Sequence, residues 1–202
     1  MKTLALSRHG GKELLTADST ANSVPGAERP IRRILGIDPG TATVGFGVID
    51  LRGGDSYRYI TSGVIHTPKT MTAGERLVMI RRDMMSLLEE YQPCAAAVEA
   101  IFFFKNAKTV IPVSQARGVI VESISACGVP VADYTPMQVK MCLTGYGKAD
   151  KAMIQETVAN LLNLSEIIKP DDAADALAIA VSHARMRIGM EGRFGQKLVS
   201  KR

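Results

Sequence analysis

No apolar run in this sequence approaches the roughly 18 residues that a membrane-spanning helix needs. The opening stretch Met1–Leu6 is also too short, and too soon interrupted, to act as a secretory hydrophobic region. These absences set the expectation of a soluble cytoplasmic protein with no membrane partner. Cysteine is scarce: Cys94, Cys127 and Cys142 are odd in number and lack metal-type spacing. Each sits among apolar or small neighbours, so free buried thiols are expected, a state suited to a reducing compartment. No Ser/His/Cys constellation of catalytic type stands out, and there is no internal repeat or low-complexity tract. Charge of one sign is weak as well, with 25 basic against 20 acidic residues. Arg185, Arg187, Arg193, Lys197, Lys201 and Arg202, set against Glu191, account for the whole +5 excess. The chain before Arg185 is neutral, so the high isoelectric point argues only weakly for a polyanionic partner.

What is there begins at residue 32. Residues 1–31 carry Gly-Gly, Ser-Thr, Asn-Ser and Pro-Gly clusters without sustained periodicity and read as a disordered extension or a mis-assigned start. Ile34–Asp38 is an apolar strand closed by Pro39-Gly40. Thr43–Leu51 and Tyr57–Ile65 follow as partners in an antiparallel meander. Leu77, Ile80, Met84, Leu87, Leu88 and Tyr91 recur at helical spacing before Pro93. Cys94–Glu99 is a short buried strand ending in one carboxylate. Asn106–Cys127 has helical pattern but carries Pro112 and Gly118, so its first turns should kink or begin late. Val129–Tyr134 is a fifth strand. Helices are expected at Pro136–Leu143, Ala149–Leu164 and Asp172–Ile188, the last introduced by Lys169-Pro170. This order gives an α/β fold, a mixed five-stranded sheet with helices on both faces. It forms one domain over residues 32–189, followed by a basic flexible tail at 190–202.

Four carboxylates carry the chemistry. Asp38 and Glu99 each end an otherwise apolar strand, where a charge is costly unless paired, solvated or bound to a cation. Two strands of one sheet that end this way can converge their oxygens at one sheet edge. Asp172 and Asp175, spaced i, i+3, share one face of the first turn of the last helix. Each has an ordinary alternative: a strand-end carboxylate commonly caps a turn or meets water, and acidic residues are favoured at helix starts. An all-carboxylate set without a nucleophilic array nevertheless matches hard divalent ions, which prefer oxygen ligands.

The blocks ILGIDPGTATVGFGVI, AVEAIFFFKN, SQARGV, QVK, GYGKADK and DAADALAIAVSH follow one another from Ile34 to His183. In order and spacing they resemble the RuvC family of Holliday junction resolvases, over about Ile34 to Arg187. GIDPGT alone also resembles the phosphate turn of actin-like ATPases and sugar kinases, but the chain after Arg187 is too short for the second domain such a protein needs. The resemblance implies a ribonuclease-H-like sheet and a structure-selective DNA endonuclease. It implies paired symmetric nicks in four-way junctions by two-metal hydrolysis, leaving 5′-phosphate and 3′-hydroxyl ends, in recombination and repair. It further implies that Asp38, Glu99, Asp172 and Asp175 hold Mg²⁺, two ions per subunit, with Mn²⁺ able to substitute. Phe102 aligns with an aromatic that stacks on a base, although beside Phe103 and Phe104 it also reads as a core residue. Lys140 and Lys151 align with lysines that work on DNA phosphates, and would otherwise pass as exposed helix lysines. A homodimer and the RuvA and RuvB branch-migration proteins are the implied partners. A junction-binding module without activity is the other reading, which the complete set of four carboxylates opposes. Pro112 in the helix resembling the dimer-forming one, the extra N-terminal segment and Lys148 depart from the family pattern. His183 lies eleven residues after Asp172, about 16 Å along a helix. A core or helix-end role therefore suits it better than metal ligation, and the same holds for His9 and His66.

Overall fold

The computed structural model describes residues 32–53, 56–101 and 107–199. The expected extension 1–31 and Phe102 lie outside them. Three antiparallel strands open the domain, β1 (Arg32–Asp38), β2 (Thr43–Gly53) and β3 (Ser56–His66). After helix α1 (Ala73–Tyr91) the chain re-enters the sheet beside β1 as β4 (Ala95–Glu99), parallel to it. Helix α2 (Ala107–Ala126) then crosses to β5 (Val131–Tyr134), parallel to β4. The strand order is β3-β2-β1-β4-β5. Helices α3 (Pro136–Thr144), α4 (Lys151–Leu161) and α5 (Asp171–Val199) complete the chain.

The sheet separates two cores, and strand alternation decides which side chain enters which. On one face Leu35, Ile37, Val44, Val48, Ala96 and Val98 pack with Ile80 and Met84 of α1 and Ile120 and Ile124 of α2. On the other, Ile34, Ile49 and Ala97 meet Leu177 and Val181 of α5, with Val139 of α3 and Ile154 of α4 behind them. Burial of both strand faces explains why β1 and β4 read as nearly unbroken apolar runs.

Three details depart from the sequence-based expectations. Cys94 and Cys127 are exposed and Cys142 is half-buried, none in a disulfide, so the expectation of burial is wrong. Cys94 sits just before β4 and Cys127 just after α2, at element ends where apolar neighbours in sequence do not become neighbours in space. Helix α2 starts at Ala107 and continues through Pro112. Pro112 is the sixth residue of the helix, just past the four N–H groups that lack helical partners, so it removes one intrahelical N–H bond close to the helix start. Helix α5 runs on to Val199, past the expected end at Ile188.

Candidate active site

The site is set up by register. Ile37 of β1 lies beside Val98 of β4, so the next residues along the parallel pair, Asp38 and Glu99, end neighbouring strands at the same level. Both have the parity of Ile34 and Ala97, which face α5. The two carboxylates therefore project to the α5 side of the sheet. The turn after Asp38 is pinned by buried Thr67, whose hydroxyl donates to the Thr41 carbonyl at 2.6 Å and whose N–H donates to the Ala42 carbonyl at 2.9 Å. The end of β4 is held by Arg117 of α2, which donates to the Glu99 carbonyl at 3.1 Å and pairs with Asp133 of β5.

Helix α5 delivers the other two acids because it lies unusually close to the sheet. A Cβ built on Gly36 would fall inside the van der Waals envelope of the Ala176 carbonyl oxygen, and one built on Gly45 would strike the Asp172 carbonyl. At Gly47 it would reach Leu177 at 2.8 Å. Glycine at these strand positions lets the backbone of the helix rest on the backbone of the strands. The start of α5, with Asp172 and Asp175, is thereby lowered onto the ends of β1 and β4.

The resulting electrostatics are severe. The Asp38 carboxyl is pushed up to about 8, first by burial and then by the charges of Glu99, Asp175 and Asp172, with Lys151 opposing. Glu99 is pushed up to about 7 by burial and by Asp175, and is partly restored by a hydrogen bond with Asp38. Both members of the strand-end pair are thus held above the ordinary carboxylate range, as adjacent buried carboxylates are when ionising both is costly. Lys151, at the start of α4, is the nearby counter-charge: its Nζ lies 3.0 Å from Asp175 Oδ2 and 3.2 Å from Asp171 Oδ2. Burial alone would lower this lysine, but its bonds to Asp175 and Asp171 raise it on balance. Glu99, Asp175, Lys140 and Lys151 line a cavity of about 230 Å³ walled by Val139 and Ile154.

All four sequence-predicted acids thus interact at one end of the sheet, with Lys140 and Lys151 at the cavity. Among the described residues no three His, Cys, Asp or Glu side chains are already gathered into a coordination cage. The donor set still fits a hard cation. It is all oxygen, and burial followed by repulsion from neighbouring carboxylates raises Asp38 and Glu99, a cost that a bound cation would relieve. His183 belongs to the core, not the site. Its Nδ1 meets the Tyr134 hydroxyl at 2.9 Å and its Nε2 is buried without a partner. Burial, then Arg187, lowers it to about 4. His66 is exposed at the end of β3. Sequence reasoning missed Asp171, Arg117 and the three glycines. Small residues at alternate positions of β1 and β2 were the available signal for the glycines, whereas nothing in sequence joins Asp171 to Lys151 twenty residues earlier.

The family model described as Crossover junction endodeoxyribonuclease RuvC matches residues 34–183. The chain belongs to the RuvC family. RuvC of Syntrophomonas wolfei is 50% identical over 151 residues, which is 75% of this chain and 87% of that protein. RuvC of Brevibacillus brevis is 52% identical over 155 residues, 77% of this chain and 93% of that protein. Among solved structures, Thermus thermophilus RuvC in complex with Holliday junction substrate superposes with a TM-score of 0.74 at 36% identity, covering 78% of this chain and 96% of that one. As a RuvC family member the chain is a crossover junction endodeoxyribonuclease with a ribonuclease-H-like sheet, and the expected fold and enzyme class hold. The matched span begins in β1 and ends in α5, so it contains all four carboxylates and both lysines.

Proposed function

We propose that Asp38, Glu99, Asp172 and Asp175 are the catalytic and metal-binding residues of this enzyme, with Mg²⁺ the working ion and Mn²⁺ able to replace it. The supporting observation is the convergence of Asp38 and Glu99, on neighbouring strand ends, with the first turns of α5 in a largely desolvated cluster that raises both strand-end carboxyls. Such carboxyls are poised to exchange protons for a cation. Bound there, divalent ions supply Lewis acidity and activation of water for phosphodiester hydrolysis. The chain's own residues do the rest. Asp38 and Glu99 are fixed by adjacent strands and Asp172 and Asp175 by the first turn of a helix resting on glycines, so the backbone is set and only side-chain adjustment would bring the four oxygen donors around an ion. Val139 and Ile154 exclude water from one wall, while Lys140 and Lys151 offer ammonium groups to DNA phosphates. Phe102, just beyond Glu99, stacks on a base at the junction centre.

In this reading two subunits of a homodimer cut opposed strands of a four-way junction, and twofold symmetry supplies the pairing of the nicks. The products are ligatable 5′-phosphate and 3′-hydroxyl ends. The enzyme works in the cytoplasm on chromosomal recombination intermediates delivered by RuvA and RuvB. An end-labelled four-way junction incubated with the protein in Mg²⁺ or in chelator tests the reading. Symmetric nicks with Mg²⁺ and intact junction with chelator are expected. Cleavage that survives chelation would remove the metal from the reaction.

A further inference from the structure

We propose that Asp171 is a positioning residue that gives Lys151 a second berth, so that a cation can take Asp175 without driving the lysine from the site. The proposal rests on the reading of Asp175 as a metal ligand, and it concerns a residue outside the four acids. Lys151 is the first residue of α4, after its N-cap Asp150. The helix dipole disfavours a cation at that place, so the ammonium is held by its carboxylate partners and not by its own helix. Those partners are Asp175 at 3.0 Å and Asp171 at 3.2 Å. Asp171 is itself fixed: its Oδ1 accepts from Gln155 Nε2 at 3.1 Å and from Lys169 Nζ at 3.0 Å, which leaves Oδ2 for Lys151. Gln155 is on α4, one turn beyond Lys151, so both donors from that helix converge on one carboxylate of α5.

The consequence is a division of labour between adjacent acids. A divalent ion approaching Asp175 meets Lys151 already there, and like charges cannot share that oxygen at close range. With Asp171 in place, the ammonium shifts its weight from one carboxylate to the next and keeps its position at the rim. Without Asp171, the ion must break the one ion pair left to Lys151 among the described residues and send the lysine into solvent.

The test is a double-mutant cycle on binding of Mn²⁺ alone, without DNA, by titration calorimetry on the full chain. The variants are Asp171→Asn, Lys151→Gln and the pair. Asp171→Asn is expected to weaken Mn²⁺ binding about fivefold, the size of one exposed ion pair. The same substitution in the Lys151→Gln background should change it by less than about twofold. Asp171→Glu should restore binding, and thermal unfolding of all variants should stay near that of the parent because these side chains are half exposed. Equal weakening in both backgrounds would reduce Asp171 to a general negative charge and overturn the proposal while sparing the metal site. Loss of Mn²⁺ binding in the parent chain itself would overturn the metal reading and this proposal together.

Discussion

Asp38 concentrates the conflict between stability and chemistry in one side chain. Left metal-free at neutral pH, it keeps its proton because ionising it beside Glu99, Asp172 and Asp175 in a buried place costs more than the proton is worth to water. Asp38→Asn removes that conflict while preserving shape. The variant is expected to bind four-way junctions like the parent, to lose cleavage in Mg²⁺ below detection, and to unfold no more easily than the parent without metal. At pH 8.5 it should be more stable by about 1–2 kcal/mol, or roughly 3–6 °C for a domain of this size. Cleavage at parental rate by that variant would take Asp38 out of the mechanism. His183 makes the opposite case. It is a titratable group of tempting type on the site helix itself, yet its ring is buried and meets the Tyr134 hydroxyl. Tyr134→Phe should cost about 1 kcal/mol of stability through the lost hydrogen bond and leave the metal requirement of cleavage unchanged.

Among the elements, α5 decides whether there is a site at all. Its first turns are buried through Ala173, Ala174 and Ala176, and the strands beneath offer Gly36, Gly45 and Gly47. Small residues on both surfaces let the helix settle low enough for its acids to reach the strand ends. Gly36→Ala would press a methyl group onto the Ala176 carbonyl and the Ala180 backbone, neither of which can swing aside. Lifting α5 should cost about 1–3 kcal/mol. It should also lower cleavage far more than the remaining folded fraction accounts for, because all four acids stay present but two move. A variant that loses stability and keeps full specific activity when folded would show that the close docking serves packing alone. Much of this architecture was legible in the sequence. The apolar runs of β1 and β4, the helical spacing through α1 and the strand-ending Asp38 and Glu99 are local patterns, and local patterns survive folding. The depth of α5 was not legible. It depends on which strand glycines face which helix backbone, and that pairing exists only after the sheet has formed. The thiols of Cys94 and Cys127 were misread for the same reason, since apolar neighbours along the chain turned out to point elsewhere.

At the scale of the whole molecule, the protons and the metal compete for one set of oxygens, and the sign of that competition can be worked out. An unfolded chain releases the Asp38 and Glu99 protons near pH 4. The folded, metal-free chain keeps them until about 8 and about 7. Between these limits the native state binds more protons than the unfolded state, so metal-free stability falls as pH rises. His183 acts in the other direction, since its folded value of about 4 lies below the ordinary histidine range, but its contribution is complete once the pH passes about 6.5. The window from pH 6.5 to 8.5 therefore isolates the carboxylate pair. Without divalent ions, the unfolding temperature is expected to drop across that window. With Mg²⁺ present the drop should shrink or reverse, because the ionised oxygens then bind a cation that the unfolded chain does not. Asp38→Asn should flatten the metal-free slope and abolish most of the Mg²⁺ effect. If Mg²⁺ instead raised the unfolding temperature by the same amount at pH 6.5 and 8.5, the cation would be binding elsewhere, at groups already ionised throughout the window.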